Sequence, residues 1–247
     1  MKLKGNTILI TGGATGIGFA FADRLAKIGN DVIICGRRKD KLEEAHRKSN
    51  YLHTIVSDIS DDKDRKGLLS YVQTEFPEFN FLINNAGIQR KVDLTSDERG
   101  ITEGDEEIEI NFKAQIHVTA MFLPLLLKQQ NAAIINVTSG LGLIPLSIFP
   151  IYSATKAAMH SYTLSLRHQL RNTNVKVFEV IPPTVYDTEL KGGSIEKKDY
   201  SISSSELTDA LIEGLEREIL QIGAGSSLGW LKASSAEFQQ IFSRMNS

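Results

Sequence analysis

Tyr152 and Lys156 stand four residues apart in the run Tyr152-Ser153-Ala154-Thr155-Lys156, a spacing that sets a phenol and an ammonium on one face of a helix. A phenol titrates near pH ~10 and is a poor base at neutral pH. An ammonium beside it favours the phenolate and brings the pair toward working pH. Ser139, thirteen residues upstream at the end of an apolar run, adds a hydroxyl that can hydrogen-bond an oxygen as its charge changes. Asn111 is the remaining polar candidate. Together these groups could exchange a proton with a substrate oxygen. Each also has a structural reading: Tyr152 a core aromatic, Ser139 a loop cap, Asn111 a helix-start residue, Asp58 a turn former. Their joint spacing favours the chemical one.

A second motif lies near the N-terminus. Thr11-Gly12-Gly13-Ala14-Thr15-Gly16-Ile17-Gly18 follows the first apolar run and opens the first helical one. Glycines there permit positive φ and close backbone approach to a diphosphate, whose charge meets the helix N-terminal N–H groups. At the head of a strand–helix–strand unit this reads as a dinucleotide site. The second run ends Cys35-Gly36-Arg37-Arg38. A site for the unphosphorylated dinucleotide places a carboxylate there to accept from the ribose 2′-hydroxyl, whereas Arg37 suits a 2′-phosphate. NADP(H) is therefore expected ahead of NAD(H). The alternative for Arg37 and Arg38 is a solvated basic first turn. Cys35 reads as a small buried hydrophobe.

Elements must exist to hold these residues. The runs Thr7–Thr11, Asp31–Gly36, Leu52–Val56, Phe79–Asn84, Ala132–Thr138 and Val175–Ile181 are Ile- and Val-rich without polar alternation, as strands buried on both faces are. Helical stretches Ile17–Ile28, Lys39–Lys48, Asp61–Phe76, Glu106–Gln129 and Tyr152–Arg171 lie between them. That alternation implies a parallel sheet with right-handed crossovers. Ser139 then falls on the carboxyl edge of the sheet, where such sheets bind ligands. The stretches 106–129 and 152–171 lack a continuous polar face, which predicts a homodimer or homotetramer built through them.

Composition agrees. With 28 Lys+Arg against 30 Asp+Glu the formal charge is −2, which gives no electrostatic case for nucleic acid or an anionic membrane as partner. The most apolar late stretch, Gly140 to Tyr152, is short and broken by Pro145 and Pro150, so no membrane insertion is expected. The N-terminus carries too few apolar residues for a signal-peptide core, and the single Cys35 excludes an intrachain disulfide. A cytoplasmic protein folded as a single domain over 1–247 is expected. His46, His53, His117, His160 and His168 form no metal-like pair.

Taken in order, Thr11–Gly18, Asp58, Asn84–Gly87, Asn111, Ser139, Tyr152, Lys156 and Pro182 resemble the short-chain dehydrogenase/reductase family, over Thr7 to Thr188. Within its single-domain branch, the runs 84–90 (NNAGIQR), 134–140 (IINVTSG) and 151–161 (IYSATKAAMHS) are similar to the bacterial DltE-type members. The resemblance implies a doubly wound Rossmann α/β fold, a mostly parallel sheet with helices on both faces. It implies hydride transfer between NADP(H) and a small carbonyl or alcohol. Tyr152 would be the acid/base, favoured as phenolate by Lys156 and an oxidised nicotinamide. Lys156 would also hold the nicotinamide ribose, Ser139 the substrate oxygen, and Asn111 a water-borne proton relay behind the lysine. Gly12, Thr15, Gly16, Ile17, Gly18, Arg37, Arg38, Asp58, Ile59, Asn85, Ala86, Gly87, Pro182 and Val185 would complete the cofactor site. Asp58 would meet the adenine and Val185 the carboxamide, with Asn84 and Gly87 shaping the floor.

The chain departs from the family in three places. Pro183 stands where the family has glycine, with one extra residue before Thr188, so Thr188 as a diphosphate ligand is in question. The last forty residues show no closing strand followed by Gly-Gly, which speaks against acyl-carrier ketoreduction. Residues 186–205 fall where the family places a substrate lid, and their composition also fits a plain loop. The apolar run Leu141, Leu143, Ile144, Pro145, Ile148, Phe149 could line a pocket for an apolar carbonyl compound. The rival class is a non-catalytic dinucleotide-binding redox sensor. A sugar epimerase or dehydratase is disfavoured by glycine spacing and length.

Overall fold

A computed structural model describes residues 1–95, 99–188, 198 and 200–246, with 99–103 described by backbone alone. Seven parallel strands form one sheet: β1 (Thr7–Thr11), β2 (Asp31–Gly36), β3 (Leu52–Val56), β4 (Phe79–Asn84), β5 (Ala132–Val137), β6 (Val175–Ile181) and β7 (Gln221–Gly223). Their order is β3-β2-β1-β4-β5-β6-β7. The chain walks outward from β1 to β3, then returns to β4 beside β1 and walks the other way. A crevice therefore opens between the carboxyl ends of β1 and β4, where successive connections leave on opposite faces.

Every residue of β1, β4 and β5 is buried, as their unbroken apolar runs require. Successive side chains point to opposite faces. Ile8 and Ile10 pack with Phe21 and Leu25 of α1 (Gly16–Lys27), Leu42 of α2 (Lys39–Lys48) and Leu211 of α7 (Ser204–Glu216). Leu9 and Ile33 face the opposite layer. There they meet Leu68 of α3 (Asp62–Glu75), Phe122 of α5 (Ala114–Leu126) and Leu166 of α6 (Pro150–Gln169). This is the doubly wound arrangement that was expected.

Several boundaries differ from the sequence reading. The helical run expected from Glu106 begins at Arg99, as α4 (Arg99–Ile108), and passes through a π-turn over Glu109–Lys113 before α5. α6 starts at Pro150, a residue suited to a first helical position because its missing N–H has no helical partner there. Tyr152 thus sits inside the first turn. A short closing strand does form, without a Gly-Gly after it: β7 pairs with β6 over Glu179 to Ile181. It has three residues and one large apolar side chain, too little local pattern to be read without its partner. Beyond it lie α8 (Ser226–Trp230) and α9 (Ser235–Met245), neither of them anticipated.

Of the expected lid, 189–197 and 199 lie outside the described residues, while Ser204 and Ser205 belong to α7. Among the described residues no helix is long and apolar enough to cross a membrane. α5 and α6 do not cover their outer faces within the chain: Leu127 and Leu164 are exposed, as are Ala154, Ala157 and Ser161 on α6.

Candidate active site

A cleft of about 1140 Å³ runs along the carboxyl edge of the sheet, and its floor begins at the glycine turn. Gly12 holds φ at +64°, and a Cβ on Gly18 would stand 2.4 Å from the Gly12 carbonyl oxygen. The turn therefore folds back on itself more tightly than any side chain permits. Thr15, the residue before α1, makes no side-chain cap to that helix. The first-turn N–H groups are left without that partner beside a cleft lined by Thr15, Gly16, Ile17 and Gly18. These features fit a diphosphate.

Asn85 locks the second side of the crevice. Its Nδ2 donates to the carbonyls of Thr11 (2.9 Å) and Gly12 (3.1 Å), while Thr11 Oγ1 accepts from the Asn85 and Ala86 N–H groups. Ala86 and Gly87 follow along the cleft. Asn84 does not shape that floor, contrary to expectation. It is buried in the sheet, where its Nδ2 donates to Thr119 Oγ1 and Asn136 Oδ1.

At the far end, Arg37 and Arg38 line the cleft with Asp58 and Ile59. Arg37 Nη1 lies 3.8 Å from Asp58 and 3.5 Å from Glu106, and Arg38 donates to Thr15 Oγ1 at 3.3 Å. Asp58 also accepts from the Ser60 N–H and hydroxyl, the turn its structural reading anticipated. Arg90 is bound to Glu106 at 2.5 Å, and these two arginines hold the Glu106 carboxyl below the usual carboxylate range. Cys35 is fully buried and its thiol is pushed up to about 12 by burial.

At the opposite end the strand β5 delivers Ser139 and the helix α6 delivers Tyr152 and Lys156, all three buried and all lining the cleft. Burial pushes the Tyr152 phenol up to about 12, against a hydrogen bond with Ser139 that draws it down, and the Glu107 carboxylate pushes it further up. Burial brings Lys156 down to about 8. Lys156 Nζ lies 5.6 Å from the centre of the tyrosine ring and donates to the Val137 carbonyl at 2.9 Å. Desolvation is the largest influence on both groups.

Asn111 stands in the π-turn, which inserts an extra residue into the helical turn. Its side chain is engaged: Oδ1 accepts from the Ile88 N–H and Nδ2 donates to the Ile88 carbonyl, both at 2.8 Å. It borders Gly87, where a Cβ would come within 3.2 Å of Oδ1. It does not line the cleft, so its side chain braces the strand-end loop. Pro182 and Val185 do line it, as does Thr188, which packs against Gly16.

Sequence reasoning missed a polar cluster behind Ser139. Glu179, fully buried on β6, accepts from Thr138 Oγ1 (2.8 Å) and Gln221 Nε2 (3.3 Å) and pairs with His160 Nδ1 at 2.9 Å. The carboxylate raises the His160 pKa. That proton stabilises the fold fully below about pH 6.5, and the contribution is lost as pH rises through the raised native value. The melting temperature of the protein should accordingly fall as pH rises from 6.5, and a His160→Gln variant should show a flatter profile in thermal denaturation. It also missed Trp230, Arg244 and Met245, which line the cleft from α8 and α9. Only folding brings the C-terminal segment here.

Among the described residues no group of His, Cys, Asp and Glu could hold a metal ion. The family model described as "short chain dehydrogenase" matches residues 6–199. The uncharacterized oxidoreductase DltE of Bacillus subtilis is 43% identical over 249 residues, covering 100% of this chain and 98% of that protein. An uncharacterized oxidoreductase of Staphylococcus epidermidis is 31% identical over 87% of this chain and 92% of its own. In fold, the chain matches a short chain dehydrogenase from Burkholderia cenocepacia in complex with NADP, with TM-score 0.85 at 24% identity over 100% of both chains. A dehydrogenase/reductase from Burkholderia phymatum in complex with NAD gives 0.84 at 19% identity, over 98% of this chain and 96% of that one.

Proposed function

The chain belongs to the short-chain dehydrogenase/reductase family of oxidoreductases, and from that membership we propose that it interconverts a carbonyl and an alcohol with NADP(H). One observation carries the reading. Ser139, Tyr152 and Lys156 converge, buried, at one end of a cleft whose other end is a glycine turn and two arginines. Such a cleft exceeds the ~300–1,000 Å³ of a single small-ligand pocket and has room for a dinucleotide with a substrate.

The bound cofactor supplies the hydride. The protein's own residues do the rest. The first turn of α1 holds the diphosphate, Arg37 and Arg38 the 2′-phosphate, Asp58 and Ile59 the adenine side. Gly12, Asn85, Ala86 and Gly87 form the floor, and Pro182 and Val185 flank the carboxamide end. Lys156 swings from the Val137 carbonyl to the ribose hydroxyls. Ser139 hydrogen-bonds the substrate oxygen, and Tyr152, held neutral by burial, gives that oxygen its proton. Asn111 is a positioning residue acting through Ile88.

The proposed setting is the cytoplasm, with α5 and α6 as the face between copies of a homo-oligomer, since Leu127, Leu164 and the small residues of α6 remain uncovered. The test is NADPH oxidation over a panel of carbonyl compounds. Nucleotide binding without turnover on any of them would replace the enzyme with a nucleotide sensor.

Arg37 gives a second measurement. A charge-assisted contact contributes roughly 1.5–3 kcal/mol, so Arg37→Gln should weaken NADPH about 10- to 100-fold and leave NADH nearly unchanged. Thermal-shift titrations with both nucleotides read this directly. Equal losses for both would remove the 2′-phosphate role.

A further inference from the structure

The outer wall of the substrate end comes from the C-terminus. The Trp230 ring lies against Gly140, where a Cβ would stand 2.5 Å from it, one residue after Ser139. Met245, Leu141, Leu146 and Pro183 add apolar lining.

α9 itself is loosely held. None of its residues is fully buried. Its half-buried positions, Phe238, Ile241, Phe242 and Met245, recur at the three- and four-residue steps of an apolar helical stripe. The stripe faces the body of the protein without being closed over. Its end is fastened by the Asn246 side chain. Asn246 Oδ1 accepts from the Ser147 N–H, and Asn246 Nδ2 donates to the Pro145 carbonyl at 3.2 Å. Those residues flank Leu146, whose N–H donates to Ser153 Oγ at 3.3 Å, beside Tyr152. The latch thus joins α9 to the segment that leads into the catalytic helix.

We propose that α9, latched by Asn246, is a cover for the substrate end that selects carbonyl compounds bearing an extended apolar chain. This deepens the reductase reading and rests on it. An apolar chain lying between Trp230, Leu146 and Met245 completes the burial that the stripe lacks. A short carbonyl compound reaches Ser139 and Tyr152 without touching α9. Each methylene taken from water onto this wall should raise kcat/KM about three- to four-fold until the wall is covered.

The experiment is steady-state NADPH oxidation over a homologous series of straight-chain aldehydes, from propanal to decanal, with wild type, Asn246→Ala and Met245→Ala. Wild-type kcat/KM should climb with chain length. Asn246→Ala, which lies outside the cleft lining, should raise KM for the long members about ten-fold while leaving kcat, the short members and NADPH affinity unchanged. Met245→Ala should lower kcat/KM more for long members than for short ones. A wild-type profile flat in chain length, or an Asn246→Ala loss equal at all lengths, overturns the cover and leaves the reductase reading standing. No NADPH oxidation with any member overturns both.

Discussion

Replacing Tyr152 with Phe should lower kcat for carbonyl reduction by about 10²- to 10⁴-fold, the usual contribution of one positioned proton donor, with NADPH affinity retained. The ring is buried in the first turn of α6 and stays in place when only the hydroxyl is removed. What is lost is the proton for the substrate oxygen and the hydrogen bond shared with Ser139. Because burial holds the phenol near 12, Tyr152 remains protonated over the whole practical pH range. Its ionisation therefore adds no alkaline limb to the wild-type reduction profile. Absorbance at the reduced-nicotinamide band, followed with saturating NADPH, gives the rate. A Phe variant within two-fold of wild type would remove Tyr152 from the reaction.

The Lys156→Met variant should be inactive and more stable at once. Lys156 is buried, and desolvation brings its pKa from 10.5 to about 8. A shift of that size corresponds to a penalty of about 3 kcal/mol for carrying the charge at pH 7. Methionine removes the penalty but leaves the Val137 carbonyl without its donor, a loss of about 1 kcal/mol. The net gain of about 2 kcal/mol raises the melting temperature by about 4–8 °C in a chain of this size. The pH dependence has a definite sign. Between about pH 8 and 10.5 the unfolded lysine keeps its proton and the native one does not, so wild-type stability rises across that window and the gap to the variant closes. Turnover should fall by about 10³-fold, since the ammonium no longer holds the ribose that positions the nicotinamide. A variant melting below wild type at pH 7 would contradict the burial penalty. Function here is kept at the expense of stability, as buried catalytic charges generally require.

The latch gives the same tension a mobile form. α9 adds little buried surface of its own, and a segment with few buried contacts opens at low free energy. The wall of the substrate end is thus the loosely packed part of the site, while Ser139, Tyr152 and Lys156 are themselves buried.

What the residue string alone determined is the part written in local pattern. Apolar runs marked six of the seven strands, but burial on both faces, read for all six, fails at β3, an edge strand with His53, Thr54 and Val56 exposed. The glycine turn was legible because tight return of the backbone admits no other residue type. Tyr152, Lys156 and Ser139 were legible because helical spacing and a strand end place them without reference to anything distant. Tertiary structure decided everything that depends on remote partners. β7 exists because β6 offers it an edge, and Asn246 reaches Ser147 across ninety-nine residues of chain. Asn111 turned out to grip Ile88 through a π-turn that no local motif announced. Glu179 and His160, ordinary residues in the sequence, become a pair of a buried carboxylate and a half-buried imidazole only when α6 lies on the sheet. The desolvation of the phenol and the ammonium is likewise set by tertiary structure. Spacing can put an ammonium beside a phenol, but burial sets how strongly each is desolvated, and burial is a property of the whole fold.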